Sequence, residues 1–234
     1  GYKSFFNFGK TYKANFIIKQ IISRNPITGK VLAKKLQSQF VNNLSMIQET
    51  DLIIIATNDD SIEKVSNEIP DYPTIHTSGN TNLKVLNKQN KYGVIYPVQS
   101  LHKDDDIDFK KIPICIEANS MKFKEEIIKM ISQISSSIFC LNSNERKYIH
   151  LSAVIASNFS NHLYAISKDI LDKKKLNFNI LKPLIIATAS KIELNDPLKN
   201  QTGPAKRKDT KTIHEHLKII DNKNYKKIYK LISN

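Results

Sequence analysis

The chain has 234 residues and a hydrophobic fraction of 40%, enough for a real core in one or two folded domains. A net charge of +14 would ordinarily suggest nucleic acid or an anionic membrane, yet the excess is Lys spread along the whole chain. Its densest runs, 173–175 and 206–208, lack interleaved aromatics, so neither partner is expected. The only cysteines, Cys115 and Cys140, exclude a disulfide framework and a four-thiolate zinc site and point to a reducing, cytoplasmic compartment.

In chain order, residues 3–13 carry Phe5, Phe8 and Tyr12 at helical spacing, and 16–22 (FIIKQII) form an expected strand closing at Ser23, Arg24 and Asn25. A helix is expected at 28–39 and a strand at 51–57. The apolar run 52–56 suits a strand buried on both faces, as in a parallel sheet covered by helices. Ligands of open α/β sheets bind outside the carboxyl ends of the strands, which makes Thr57, Asn58 and Asp59 candidate contacts. The same stretch also fits an ordinary turn in which Asp60 or Ser61 caps a helix at 61–68. The next strand repeats the arrangement, with 73–77 running into Ser78, Gly79 and Asn80. So does the one after a short helix at 83–89, where 92–96 runs into Pro97, Val98, Gln99 and Ser100. An acidic loop at 104–108, a strand at 112–117, a helix at 122–135 and a short strand at 137–141 complete this half. Alternation with short turns implies right-handed βαβ units and a parallel sheet, and the change to purely helical periodicity places a domain boundary near residue 142.

The second half opens with the longest helical pattern, 145–171. Here His150, Ser157, Asn158, Asn161 and His162 fall within an arc of roughly 140°, while Ile155, Phe159, Leu163 and Ile166 share another. Lys and Glu are absent between Leu151 and Ser167, which favours a wet cleft over a solvated face for the polar stripe. Buried and unpaired, such groups would each cost about 1 to 3 kcal/mol. Residues 176–192 are apolar over most of a helix circumference, so a homodimer is expected to cover them. After a Gly203-Pro204 turn, Arg207 could clamp a carboxylate or phosphate, or be a solvated charge on a connector. The spacing of His214 and His216 puts their rings on different helical faces, HExxH spacing is absent, and no metal is expected. No apolar run approaches a membrane span, and the first residues lack the apolar segment of a signal peptide.

The segments HTSGN (76–80), YGVIYPVQS (92–100), FKKIPICIEAN (109–119), ERKYIHLSAVIASNFSNHLY (145–164) and QTGPAKRKD (201–209), in this order, resemble a bacterial two-domain family of unknown function. Its members combine a Rossmann-like domain with domain of unknown function 2520, an all-helical domain similar to the C-terminal dimerisation domain of 6-phosphogluconate dehydrogenase. The resemblance runs from about Ile17 to the C-terminus. It implies an α/β domain at 1–142, an all-α domain at 143–234, and an NADP-dependent oxidoreductase similar to coenzyme-F420-dependent NADP reductase, acting on a small molecule. Relatives begin with a strand and a Gly-x-Gly-Asn turn that cradles the pyrophosphate. This chain starts too late for that strand, with Gly1 about where the second glycine belongs and Tyr2 in place of the Asn, so its Rossmann-like sheet is expected to lack the first strand. A gap should then open between the strands at Phe16 and Leu52.

The residue closing the second strand of a Rossmann fold faces the adenosine ribose, where an acidic residue selects NAD and Arg accommodates a 2′-phosphate. Ser23 and Arg24 stand there with no acid, so NADP is the expected cofactor, the alternative being that Arg24 is a surface cation. The expected cofactor set is Gly1, Ser23, Arg24, Thr57, Asn58, Asp59, Ser78 and Gly79, and the expected substrate set is Tyr96, Gln99, Ser100, Asn158, Asn161 and Arg207. His162 and then His76 are the candidates for proton transfer, because imidazole titrates near neutral pH. The competing expectation is a non-catalytic binding or structural homodimer that keeps the fold without the phosphate loop.

Overall fold

The computed structural model describes residues 16–101 and 108–233. Gly1, the helix read at 3–13 and most of the acidic loop at 104–108 lie outside them. The chain divides into two compact units, Gly1–Ser157 and Asn158–Asn234.

Unit 1 is α/β. Strand β1 (Gln20–Ile22) leads into helix α1 (Pro26–Leu36) and returns to β2 (Gln39–Val41), which pairs parallel to β1. Helix α1 starts at Pro26 because Asn25 caps it, its side-chain oxygen accepting from the Ile27 and Thr28 N–H groups. Proline costs nothing at a first position whose N–H would be orphaned. The helix ends at Gln37, whose left-handed φ of 54° turns the chain into β2. Residues 38 and 39, read as helix, thus belong to the turn and to a strand the sequence pattern did not reveal. A second sheet follows, with β3 (Ile53–Ile55), helix α2 (Ile62–Glu68), β4 (Thr74–His76), β5 (Tyr92–Pro97), β6 (Ile114–Ala118), helix α3 (Met121–Ile131) and β7 (Ile138–Cys140). Its strands lie in the order β3-β4-β5-β6-β7. All neighbours are parallel except β5 and β6, which run antiparallel with Tyr96 opposite Cys115. The uniformly parallel expectation is corrected at this one pair. Only a 3-10 turn, Phe109–Lys111, stands in the described part of that connection, and a direct return of this kind needs no crossover helix.

The main core lies between α3 and the sheet. Phe123, Ile127 and Ile131, spaced at i, i+4 and i+8, pack with Ile75, Ile95, Ile114 and Ile116 and with Phe109 and Ile112. Smaller clusters sit under α1 (Ile21, Leu32, Ala33) and α2 (Ile55, Ile62, Ile69, Leu86). Asp60 and Ser61, read as helix caps, form a 3-10 turn instead and make no side-chain cap bond to α2. Among the described residues β1–β2 and β3–β7 remain separate sheets, which is the gap expected between the segments at Phe16 and Leu52.

Helix α4 (Ser143–Ala153) opens with a capping box between Asn142 and Glu145 and passes through a π segment, Val154–Phe159, into α5 (Ser160–Asp172). The division between units falls inside this π segment, whereas the periodicity change near residue 142 lies at the Asn142 cap, just after the last strand ends. Contacts assign α4 to unit 1 because its first two turns are bonded into the sheet ends, as described below. Unit 2 holds α5, α6 (Lys182–Ser190), α7 (Thr210–Ile219) and α8 (Lys223–Ile232). Within it Ile166 and Ile220 are the buried hydrophobics among the described residues. Among the described residues no helix is long and apolar enough to cross a membrane.

The packing of Ile116, 1% exposed between β5, β7 and α3, sets a stability expectation. Ile116→Ala should lower the unfolding free energy by about 2 to 5 kcal/mol, read from chemical denaturation.

Candidate functional site

The residues that follow β1 and β3 meet around one cavity. It has a volume of about 760 Å³ and lies between the two sheets, walled among the described residues by Ile21, Ile22, Leu32, Ile53 and Ile55. Ser23, Arg24 and Asn25 from the end of β1, and Ala56, Thr57 and Asn58 from the end of β3, line the same space. Four of the expected cofactor residues, Ser23, Arg24, Thr57 and Asn58, are thereby brought together. Asp59 is exposed in the adjoining 3-10 turn and is not part of the lining. Arg24 is exposed and forms no ion pair among the described residues. The cavity is therefore largely apolar inside; among the described residues its lining also holds two cations, Arg24 at the polar end and Lys19, which donates to the Glu49 carbonyl at 2.8 Å. Gly1 lies outside the described residues.

A second constellation surrounds the Arg146 side chain, which is 1% exposed. Its Nε donates to the Ser78 carbonyl at 3.2 Å, and its two terminal nitrogens donate to the Thr81 carbonyl and the Glu117 carboxylate. Glu117 also accepts from the Ser143 N–H at 2.9 Å and from the Ser143 hydroxyl at 2.8 Å. The Ser143 hydroxyl accepts in turn from the Leu83 N–H at 3.0 Å. One turn beyond Arg146, the His150 Nδ1 lies 3.2 Å from the Tyr96 hydroxyl.

Ser78 and Gly79, expected to face a cofactor, take part in this constellation. The buried Ser78 hydroxyl accepts from the Asn80 and Thr81 N–H groups. A Cβ on Gly79 would stand 2.7 Å from both the His150 Nδ1 and the Tyr96 ring, so this glycine makes room for a side-chain pair of the protein itself. His76, a candidate for proton transfer, has no exposed surface, and its Nδ1 accepts from the Ser78 N–H. Burial, with Arg146 adding to it and the Asn82 backbone opposing, lowers its pKa to about 3. An imidazole this hard to protonate is a neutral strut in the core. Among the described residues its Nε2 has no hydrogen-bond partner.

The remaining expected residues are dispersed. Gln99 folds back locally, its side-chain oxygen accepting from the Ser100 N–H at 2.9 Å, and both residues are exposed. In unit 2, Asn158, Asn161 and His162 stand exposed along the π segment and α5, and so do Phe159 and Leu163. The stripe is therefore not a buried network. Arg207 is exposed in the turn that follows Gly203, before Asp209 caps α7. Sequence reasoning missed Arg146, Glu117, Ser143 and the pairing of His150. Among the described residues no group of three or more His, Cys, Asp and Glu side chains is placed to hold a metal ion.

This architecture defines a Rossmann-like α/β unit followed along the chain by a helical unit. Residues 112–234 match the domain of unknown function DUF2520, and the chain belongs to that family. Its fold is that of a protein from Bacteroides fragilis titled "putative NADP oxidoreductase", to which it is 30% identical with a TM-score of 0.90, over 99% of this chain and 92% of that one. A protein from Thermotoga maritima is 24% identical, with a TM-score of 0.80 over 97% and 93% of the two chains. 1-Pyrroline-5-carboxylate reductase from Streptococcus pyogenes is 14% identical, with a TM-score of 0.61 over 90% and 81%. The last two likenesses concern the fold alone. Comparison with curated proteins gives no match.

The depressed pKa of His76 makes stability depend on pH with a defined sign. Above the unfolded value of 6.5 both states are neutral and the residue is indifferent. As pH falls from 6.5 towards 3 the unfolded chain takes up a proton that the folded chain refuses, so stability is lost across that window. Denaturation between pH 6 and 4 should show the wild type losing up to about 1.4 kcal/mol per pH unit more than His76→Gln.

Proposed function

We propose that this protein is an NADP-dependent oxidoreductase whose unit 1 holds the dinucleotide at the cavity between β1 and β3. The observation that carries the reading is the convergence of Ser23 and Arg24 with Thr57 and Asn58 on one cavity. Two strand ends delivering polar residues to a shared crevice is how open α/β sheets bind nucleotides. Arg24, unpaired and with no acidic residue beside it at the strand end, fits a 2′-phosphate; Ser23 fits the ribose hydroxyls. Thr57 and Asn58 would contact the dinucleotide from the β3 side. When bound, NADP would supply hydride chemistry, and the chain's own residues would bind and orient the reacting molecules. The resemblance to the Bacteroides fragilis protein supports the same class. The exposed stripe of Asn158, Asn161 and His162 is available to a substrate, with His162 the imidazole open to proton exchange.

Calorimetry on the full chain tests this reading. NADPH should bind at least tenfold more tightly than NADH, and Arg24→Ala should remove most of that difference. Equal affinities would refute the assignment of Arg24. Absence of binding by either nucleotide would favour the second reading, a non-catalytic binding or structural protein, which the separation of the two sheets supports.

Assembly belongs to the same proposal. Helix α6 and the turn before it expose Ile180 (71%), Leu184 (63%) and Ile186 (66%), apolar side chains around the helix whose exposure to water is costly. We infer an isologous homodimer through the helical units. Light scattering should give twice the 26.8 kDa chain mass, and Leu184→Asp with Ile186→Asp should give the monomer. A monomeric wild type at tens of micromolar would exclude it.

A further inference from the structure

The dinucleotide reading leaves unused the polar cluster among β4, β5, β6 and α4. Its buried members are already committed: Arg146 to Ser78, Thr81 and Glu117, His76 to the Ser78 N–H, and Cys115 to the interior. Tyr96 and His150 differ because both are only half-buried. Their polar atoms meet at 3.2 Å, with the rings edge to face at 72°. When the imidazole Nδ1–H donates to the phenol oxygen, the phenol O–H is released for a third group. Burial raises the Tyr96 pKa, so the phenol stays a neutral donor.

Two further features centre on the pair. Gly79 is the only residue type that fits against it without displacing a ring, since a Cβ would stand 2.7 Å from each. Directly after α4 the helix opens into the π segment, and the Val154 N–H there reaches the His150 and Leu151 carbonyls. Single π turns of this kind occur frequently at functional sites.

Charge decides what the pair can hold. Arg146 is the cation acting on Tyr96, and its charge is neutralised by Glu117. Among the described residues bonded into this cluster no cation is left without a counter-charge, so none offsets the desolvation of a carboxylate or phosphate. We propose that Tyr96 and His150 form a binding site for a neutral carbonyl or imine compound, the Tyr96 hydroxyl donating to its oxygen or nitrogen and His150 donating to the phenol oxygen from behind. This deepens the oxidoreductase reading and rests on it for the reaction that follows binding; the binding itself is independent of cofactor.

The test uses the full chain labelled with ¹³C at the Tyr ζ carbons and ¹⁵N in the His rings. Spectra of Tyr96→Phe and His150→Gln identify the two signals. Cyclohexanone is the neutral probe; acetate and inorganic phosphate are the charged ones. Cyclohexanone should shift both signals saturably, half-complete at about 10 mM or below, a reachable affinity for so small a ligand. Acetate and phosphate should produce no saturable shift, and the His150 response to cyclohexanone should vanish in Tyr96→Phe. Signals that stay fixed up to about 100 mM cyclohexanone, ten times the expected midpoint, would overturn the site, as would an equal response to acetate. NADPH titration of the same samples separates the two readings. Failure of NADPH to bind while cyclohexanone moves the signals removes the cofactor and leaves this site standing, and the opposite result removes only this site.

Discussion

The buried Arg146–Glu117 pair is the constraint on which the described part of unit 1 depends. A guanidinium 1% exposed and a carboxylate behind it cost several kcal/mol each to desolvate, a cost offset only when every donor and lone pair is met with good geometry. The chain meets that requirement from distant places: the β4 turn supplies the Ser78 and Thr81 carbonyls, β6 supplies Glu117, and the first turn of α4 supplies Ser143 and Arg146. Once the ion pair is satisfied, the start of α4 can occupy only one position against the sheet ends. His150, four residues on and hence on the same helical face, is carried to Tyr96 as a consequence. Gly79 is required at the point where the β4 turn packs against this pair.

Much of the fold could be read from the chain because its signals are local. The apolar runs at 52–56 and 92–96 became β3 and β5, and Phe123, Ile127 and Ile131 announced the buried face of α3 at helical spacing. β2 was illegible for the converse reason: three residues, QFV, behind a helix whose start is set by the Asn25 cap and whose stop is set by an unexpected left-handed Gln37. The reversal at β6 was illegible too, since strand direction is not encoded in a strand's own pattern.

The candidate site divides along the same line. Arg24, Thr57 and Asn58 were legible because strand ends are local features and the crevice rule applies to them directly. Arg146 bonds Glu117 from 29 residues away and His150 meets Tyr96 from 54, and no spacing rule reaches across a sheet register. One signal was nevertheless available. The chain has three arginines against thirty-three lysines, so an arginine is the exception that calls for a reason. A planar fork that bonds three acceptors at once is a task lysine cannot perform. Applied to Arg146, one turn before the polar stripe, that argument would have placed a buried anchor at the root of the long helix.

The electrostatics of unit 1 follow from how its cations are used. Arg146 is neutralised by Glu117, and it joins with burial to keep His76 uncharged, so the interior network carries no net charge despite the basicity of the chain. Arg24 has no ion-pair partner among the described residues and stands at the polar end of an apolar cavity. A free cation beside a low-dielectric wall attracts an anion more strongly than the same charge in open water. A neutralised cation leaves its neighbours to act through hydrogen bonds alone. On the proposed reading the two constellations would sort ligands by charge, an anionic phosphate at Arg24 and an uncharged polar group beside Tyr96.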